Sequence, residues 1–122
     1  MCGRFVVARV GSELASVLRA EVVPDDLPGP SFNIAPTAQA TIVLDSAKTE
    51  PPTRRLASAR WGLVPGWAKD PSVGSRAFNA RSEEAAEKPT FRDALVSRRA
   101  VVPASGYYEW QGETGAKTPH FV

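Results

Sequence analysis

The segment YYEWQGETGAKTPHFV, residues 107–122, predicts a β-hairpin at the end of the chain. Residues 107–111 favour a strand because aromatic side chains pack well on a pleated surface. Gly112 and Gly115 supply the residues that tight turns require, so residues 117–122 are predicted to return antiparallel to the first strand. The chain is therefore predicted to contain antiparallel sheet.

Other segments extend this prediction along the chain. β-Branched or alternating stretches predict strands at residues 5–7, 40–44, 54–64 and 100–102. Helices are predicted at residues 13–19, 83–87 and 91–97, with Ser12, Ser82 and Thr90 as their N-caps. Because Val122 falls within a predicted strand, we expect a chain truncated at its C-terminus. The predicted fold class is α+β, a mainly antiparallel sheet curled into a partly closed barrel with short peripheral helices.

Composition limits the classes of protein that fit. With 122 residues, 43% hydrophobic and 23% charged, the sequence is typical of one globular domain, and we expect residues 1–122 to form it. One cysteine excludes an intramolecular disulfide and a multi-cysteine metal site, and no cofactor is expected. The net charge of +2 permits nucleic-acid binding without predicting it. No apolar window suggests a membrane span or signal peptide, so a cytoplasmic location is expected.

The N-terminus carries the most distinctive candidate nucleophile. Cys2 follows Met1 directly, and a small residue there leaves the methionine open to removal by aminopeptidase. Cys2 would then carry a free amine and a thiol, both partly nucleophilic near neutral pH. The pair can capture an aldehyde as an imine and close a thiazolidine, or act as an N-terminal-nucleophile hydrolase. The alternative is a small hydrophobic residue buried near a chain end.

Glu109 is the most suggestive carboxylate because it lies between aromatic residues. An aromatic surround excludes water from a carboxylate and suits it to general acid–base chemistry. Simple strand alternation is the competing interpretation, with Tyr108 and Trp110 facing the core and Glu109 facing water.

Asn79 and Arg81 form a second candidate pair. In an extended segment the two side chains point to the same side, where an amide and a guanidinium could hold a phosphate or sugar oxygen. Alternatively, Asn79 holds a turn and Arg81 pairs with Glu83 or Glu84.

Four further side chains have competing interpretations. Arg4 shares a face with Cys2 if the terminus is extended, and could hold a phosphate there or form a surface salt bridge. Trp67 follows a turn and is the better candidate for an exposed platform on which unpaired bases stack, whereas Trp61 is expected to close the core. His120, the only histidine, is interpreted as a structural group rather than a catalytic base.

Five segments in order carry a family resemblance: MCGRF (1–5), FNIAPT (32–37), WGLVPGW (61–67), FNARSE (78–83) and RAVVPASGYYEW (99–110). Together they resemble the SOS response-associated peptidase family, the abasic site processing proteins. Each motif alone is weak, but five in the family's order are highly specific. The chain would be the N-terminal portion of the family fold.

The resemblance implies catalytic roles. Cys2 would form a thiazolidine with the ring-opened aldehyde of an abasic site in single-stranded DNA. Glu109 would shuttle protons, and Asn79 would hydrogen-bond the Cys2 end and the reacting sugar. The same groups could remove residues ahead of the cysteine, which is the peptidase activity in the family name.

The resemblance also implies a DNA-binding surface. Arg4 and Arg81 would bind phosphates, while Trp67 and the loop at Pro36 would flank the strand where it bends. We expect a monomer whose partner is abasic single-stranded DNA, with no membrane contact. Family members are longer and carry a further catalytic histidine in a segment that this chain does not contain, and that role is not transferred to His120.

Two other functions remain open from the sequence. One is a non-covalent module that binds single-stranded DNA or modified bases and whose chemistry is impaired by truncation. The other is a self-processing peptidase with no role on DNA.

Overall fold

The computed structural model describes residues 2–122, which form strands and short helices. The strands are β1 (Arg4–Val7), β2 (Ser31–Ile34), β3 (Gln39–Ser46), β4 (Thr53–Arg60), β5 (Gly106–Gln111) and β6 (Thr118–Phe121). The helices are α1 (Gly11–Leu18), α2 (Ser82–Ala85) and α3 (Arg92–Ser97), with a 3₁₀ helix at Pro71–Arg76. The predicted turn glycines, Gly112 and Gly115, have φ of 121° and 92°, and the predicted hairpin of β5 and β6 is confirmed.

All strand pairs in the two sheets are antiparallel. One sheet has the order β2-β1-β5-β6, and the other is the β3–β4 ladder. Val43 of β3 also forms a bridge to Val101, in the segment that precedes β5. The predicted mixture of antiparallel sheet and short helices is confirmed, but residues 2–122 form two sheets and no closed barrel.

The core lies where the two sheets and α1 meet. Leu56 of β4 is completely buried and packs in a cluster with Phe5 of β1 and Leu14 of α1. Burying side chains of this size contributes roughly 1.5–3 kcal/mol each. Trp61 packs against the same cluster, which places β1 and the segment after β4 side by side.

The predicted helix caps were wrong by one or two residues. α1 begins at Gly11 rather than after Ser12, because the Glu13 carboxylate accepts a hydrogen bond from the backbone N–H of Val10 at 3.1 Å. Ser82 is the first residue of α2 rather than its cap. Phe91, not Thr90, precedes α3.

The predicted strand over residues 54–64 ends early, at Arg60. Gly62 has φ of 121°, a backbone conformation that a regular strand does not contain. Residues 100–102, predicted as a strand, contribute only the bridge at Val101. The predicted removal of Met1 lies outside the described residues.

Candidate active site around Cys2

Cys2 lies just ahead of β1 and is half-buried. Its thiol donates to the backbone carbonyl of Arg4 at 3.2 Å. The side-chain amide of Asn79 donates to the backbone carbonyl of Cys2 at 2.8 Å, across 77 positions of sequence. The backbone at the candidate nucleophile is therefore held by a residue from a distant part of the chain.

The segment that leads to Asn79 is held by hydrogen bonds at two places. The 3₁₀ helix ahead of it is capped by Asp70, whose carboxylate accepts from the N–H of Ser72 at 2.9 Å and from the Ser72 hydroxyl at 2.7 Å. The backbone hydrogen bond from Ser72, and then the hydroxyl bond, lower the pKa of Asp70 below its ordinary value. Leu63 donates to the carbonyl of Ala77 at 2.9 Å, two residues before Asn79.

The pairing of β1 with β5 places Glu109 toward the end of β1 that follows Cys2. Arg4 is opposite Tyr108, and because the strands are antiparallel, Glu109 continues β5 in the direction of Cys2. Glu109 is half-buried, whereas Trp110 is 37% exposed. The exposure of these residues does not follow a simple alternation of inward Tyr108 and Trp110 with an outward Glu109.

His120 is the cross-strand neighbour of Glu109 in the β5–β6 ladder. Residues directly opposite in an antiparallel pair have Cβ atoms about 4.5–5.5 Å apart and project from the same face. From the sequence, His120 was interpreted as a structural group only. The pairing of His120 with Glu109 could have been predicted from the turn glycines, because the turn fixes the register of the hairpin.

Arg4 is half-buried, and its Nε is buried without a hydrogen-bond partner among the described residues. A buried guanidinium donor with no acceptor is costly, and an anion could satisfy it. The expectation that Arg4 shares a face with Cys2 required an extended terminus. Cys2 instead lies outside the strand and lines a cavity with Phe5, whose side chain alternates with that of Arg4 along β1.

The two tryptophans are placed as their sequence positions predicted. Trp67 is 60% exposed, while Trp61 packs against the core. The remaining predicted contacts lie in loops at the surface. Pro36 is half-buried in a turn whose next residue, Thr37, has φ of 75°, and Arg81 is exposed at the start of α2. Glu84, one of the two alternative partners of Arg81, contacts Lys88.

A cavity of about 700 Å³ opens beside Cys2. Its walls are mainly apolar and include Trp61 and Tyr107. Glu109 projects from the same face of β5 as Tyr107, since the two are separated by two positions. The exposed Arg98 and Arg99 also line this cavity. An acidic partner would be attracted to this side of the molecule.

Residues 2–122 contain no group of three or more histidine, cysteine, aspartate or glutamate side chains arranged to hold a metal ion. Among the same residues, no helix is long and apolar enough to cross a membrane.

Comparison with known sequences identifies related proteins. A model of the SOS response associated peptidase (SRAP) family matches residues 1–122. Abasic site processing protein YoqW of Bacillus subtilis is 38% identical over 115 residues, covering 91% of this chain and 48% of YoqW. Abasic site processing protein YMR114C of Saccharomyces cerevisiae is 32% identical over 151 residues, covering 100% of this chain and 39% of YMR114C.

Comparison with solved structures supports the fold. A protein from Bacteroides thetaiotaomicron superposes with a TM-score of 0.77 at 20% sequence identity, covering 98% of this chain and 53% of that one. The chain thus spans about half the length of YoqW and of this structural neighbour.

Proposed function

The chain belongs to the SOS response associated peptidase (SRAP) family, and from this membership we propose that it processes abasic sites in single-stranded DNA through a covalent thiazolidine at Cys2. Relatives named abasic site processing proteins support the substrate class. We further propose that the chain forms one SRAP-type domain that acts as a monomer, with its two sheets contributing to a partly closed barrel. The cytoplasmic location stays a prediction.

The reaction begins after removal of Met1, which frees the α-amine of Cys2. The amine adds to the aldehyde of the ring-opened abasic sugar, and loss of water gives an imine. The thiol then adds to the imine carbon, its proton passes to the nitrogen, and a five-membered thiazolidine closes. The aldehyde carbon is thereby converted to a saturated centre, which protects the strand from elimination.

Asn79 and Glu109 are the proposed partners of this chemistry. The bond from the Asn79 amide to the Cys2 carbonyl supports a role for Asn79 in holding the nucleophile. Glu109 would move protons during ring opening, loss of water and reversal, contributions typically worth 10²–10⁴ in rate for general acid–base groups. Its half-buried position toward the Cys2 end of the β1–β5 pair supports that role.

The DNA would cross the surface near Cys2. The unpaired Nε of Arg4 supports its assignment as a phosphate ligand. Exposed Trp67 is suited to stacking on a base, an interaction worth roughly 1–3 kcal/mol. Arg81 is proposed as a second phosphate ligand, and Pro36 as part of the loop against which the strand bends.

The single observation that carries the proposal is the hydrogen bond between Asn79 and the Cys2 carbonyl, because it joins two proposed catalytic residues that are 77 positions apart in the chain. The test is incubation of the purified protein with a single-stranded abasic oligonucleotide, followed by a denaturing gel. We expect a shifted band that survives denaturation. If the intact protein gives no band while YoqW gives one, this chain does not carry the activity.

Two matched controls make the gel specific. An oligonucleotide with a tetrahydrofuran abasic analogue has no aldehyde to capture and should give no band. Cys2→Ala should abolish the band, whereas Glu109→Gln should slow its appearance without preventing DNA binding.

A second candidate function is non-covalent binding of single-stranded DNA or a modified base, favoured by the exposed Trp67. Cys2→Ala separates the two functions, because it removes the crosslink and leaves salt-sensitive binding intact. If the wild-type protein and Cys2→Ala both bind the oligonucleotide and neither forms a crosslink, the non-covalent function is favoured.

Self-processing peptidase activity is the third proposal. A variant carrying several extra residues ahead of Cys2 should release them, as measured by intact mass. Methionine aminopeptidase removes an initiator Met only ahead of a small residue, so release of a whole leader whose second residue is large points to Cys2. A leader that stays attached would argue against the activity.

A further inference from the structure

Trp61 lies at the end of β4, where three segments of the proposed site meet. Its backbone N–H donates to the carbonyl of Ala38 at 2.8 Å, and its carbonyl accepts from Thr37 at 2.7 Å. These two bonds hold the turn that contains Pro36 against the end of β4.

The indole of Trp61 reaches the segment that carries Asn79. Its Nε1 donates to the backbone carbonyl of Phe78 at 2.9 Å in a partly buried position. The Trp61 and Phe78 rings also meet edge to face, with centroids 5.9 Å apart and planes at 89°. Because a peptide unit is planar, fixing the carbonyl of Phe78 also fixes the backbone nitrogen of Asn79.

The other contact of the Trp61 ring is with the strand that follows Cys2. Phe5 of β1 packs edge to face against Trp61 at a centroid distance of 5.0 Å and an interplanar angle of 73°. Phe5 is buried, so β1 cannot shift along its axis without disturbing this contact. Trp61 therefore touches both of the segments that the Asn79–Cys2 hydrogen bond joins.

We propose that Trp61 is a positioning residue of the Cys2 site, whose indole N–H sets the orientation of Asn79 toward the Cys2 carbonyl. This inference rests on the proposed function, since it concerns the same site. The effect of the Trp61 N–H on the reacting atoms passes through Phe78 and Asn79. The ring alone would fill the core equally well without its N–H donor, so the donor is the feature to test.

Trp61→Phe removes the N–H donor and keeps an aromatic ring. At saturating abasic oligonucleotide we expect the crosslinking rate to fall about ten- to a hundredfold, the scale on which small misplacements of reacting groups act. The dissociation constant for the tetrahydrofuran oligonucleotide should not change. Trp110→Phe is the matched control, because Trp110 is partly exposed and should crosslink at the wild-type rate.

A second readout does not depend on activity. The sequence contains four side-chain amides, at Asn33, Asn79, Gln39 and Gln111, so the Asn79 signals in a nitrogen–proton NMR spectrum are assigned by their absence from the spectrum of Asn79→Asp. Trp61→Phe should shift those signals and speed their exchange with solvent, and Trp110→Phe should not. A purely structural role predicts unchanged Asn79 signals in the folded variant.

The outcomes separate this inference from the proposed function. A wild-type crosslinking rate with unmoved Asn79 signals in Trp61→Phe would overturn the positioning role. If the wild-type chain forms no crosslink, the proposed function fails and the NMR signals alone decide the inference. Should Trp61→Phe not fold, 3-benzothienylalanine at position 61 keeps the two-ring shape without the N–H, and the same readouts apply.

Discussion

Glu109 lies directly opposite His120 in the antiparallel ladder of β5 and β6. The two side chains project from one face of the sheet, with Cβ atoms at a separation of about 4.5–5.5 Å for such pairs. A carboxylate and an imidazole at this spacing are close enough to interact across the ladder. The proposed acid–base residue thus has a histidine of the neighbouring strand as its direct neighbour.

We predict a coupling energy between Glu109 and His120 of about 0.2–1 kcal/mol in the free energy of unfolding. The double-mutant cycle uses Glu109→Gln and His120→Gln, measured by urea denaturation. The loss of stability in the double variant should be smaller than the sum of the two single losses, because each single substitution already breaks the cross-strand contact. Strictly additive losses would show that the two side chains do not interact.

We predict that Asn79→Ala slows crosslinking about ten- to a hundredfold, because the Cys2 backbone loses its distant anchor. The hydrogen bond itself should contribute about 0.5–1.5 kcal/mol to stability. Asn33→Ala is the matched control on exposed β2. Single-turnover rates with an abasic oligonucleotide and thermal unfolding check both effects. Equal rates for the two variants would contradict the role of Asn79.

We predict that Arg4→Met weakens DNA binding and makes it less dependent on salt. Methionine keeps much of the apolar stem of arginine but removes the buried Nε donor. Loss of one phosphate contact should reduce the slope of log K against log salt by about 0.7 for a single strand. Titrations with the tetrahydrofuran oligonucleotide at several salt concentrations measure the slope. Arg9→Met, on an exposed residue, should leave it unchanged.

We predict that Gly62→Ala severely destabilises the fold. A Cβ at Gly62 would overlap the carbonyl oxygen of Gly74, and the φ of 121° is one that residues with side chains rarely adopt. The expected cost is about 3 kcal/mol or more. Gly66→Ala is the control, since a Cβ there meets no atom within 4 Å. Urea midpoints compare the two variants, and similar midpoints would refute the close contact.

We predict that Asp70→Ala lowers the melting temperature at pH 7 but has little effect at pH 2. The hydrogen bonds from Ser72 depress the folded-state pKa of Asp70, so its contribution is complete above the ordinary carboxyl pKa. The contribution is lost as the pH falls through the lower folded-state value. Melting temperatures of both proteins across this range measure the difference. A difference that persists at pH 2 would assign the effect to packing.

The sequence could predict the local structure that turn residues determine. Gly112 and Gly115 both have positive φ, and the hairpin forms where they predicted it. The extent of β4 could not be predicted, because its end depends on the contact of Gly62 with Gly74. The N-cap of α1 was missed because a carboxylate at Glu13 satisfies the Val10 N–H in place of a serine side chain.

The candidate site was predictable only in part. The spacing of Asn79 and Arg81 predicted that their side chains point to the same side, but it did not predict what Asn79 binds. The hydrogen bond of Asn79 with Cys2 was expected only from the family resemblance. The bond from Trp61 to Phe78 could not be inferred, because the residues are 17 positions apart and no local pattern links an indole to a backbone carbonyl. Contacts of this kind depend on the tertiary packing of the whole domain and not on the local sequence.

The Asn79 amide holds the main chain of Cys2 rather than its side chain, so the anchor does not depend on which side chain occupies position 2. Serine in that position should therefore leave the terminus in place and present an amine without a thiol. In such a protein the reaction with the abasic site would stop at the imine. Reduction of this imine with borohydride would give a stable DNA adduct for crystallography.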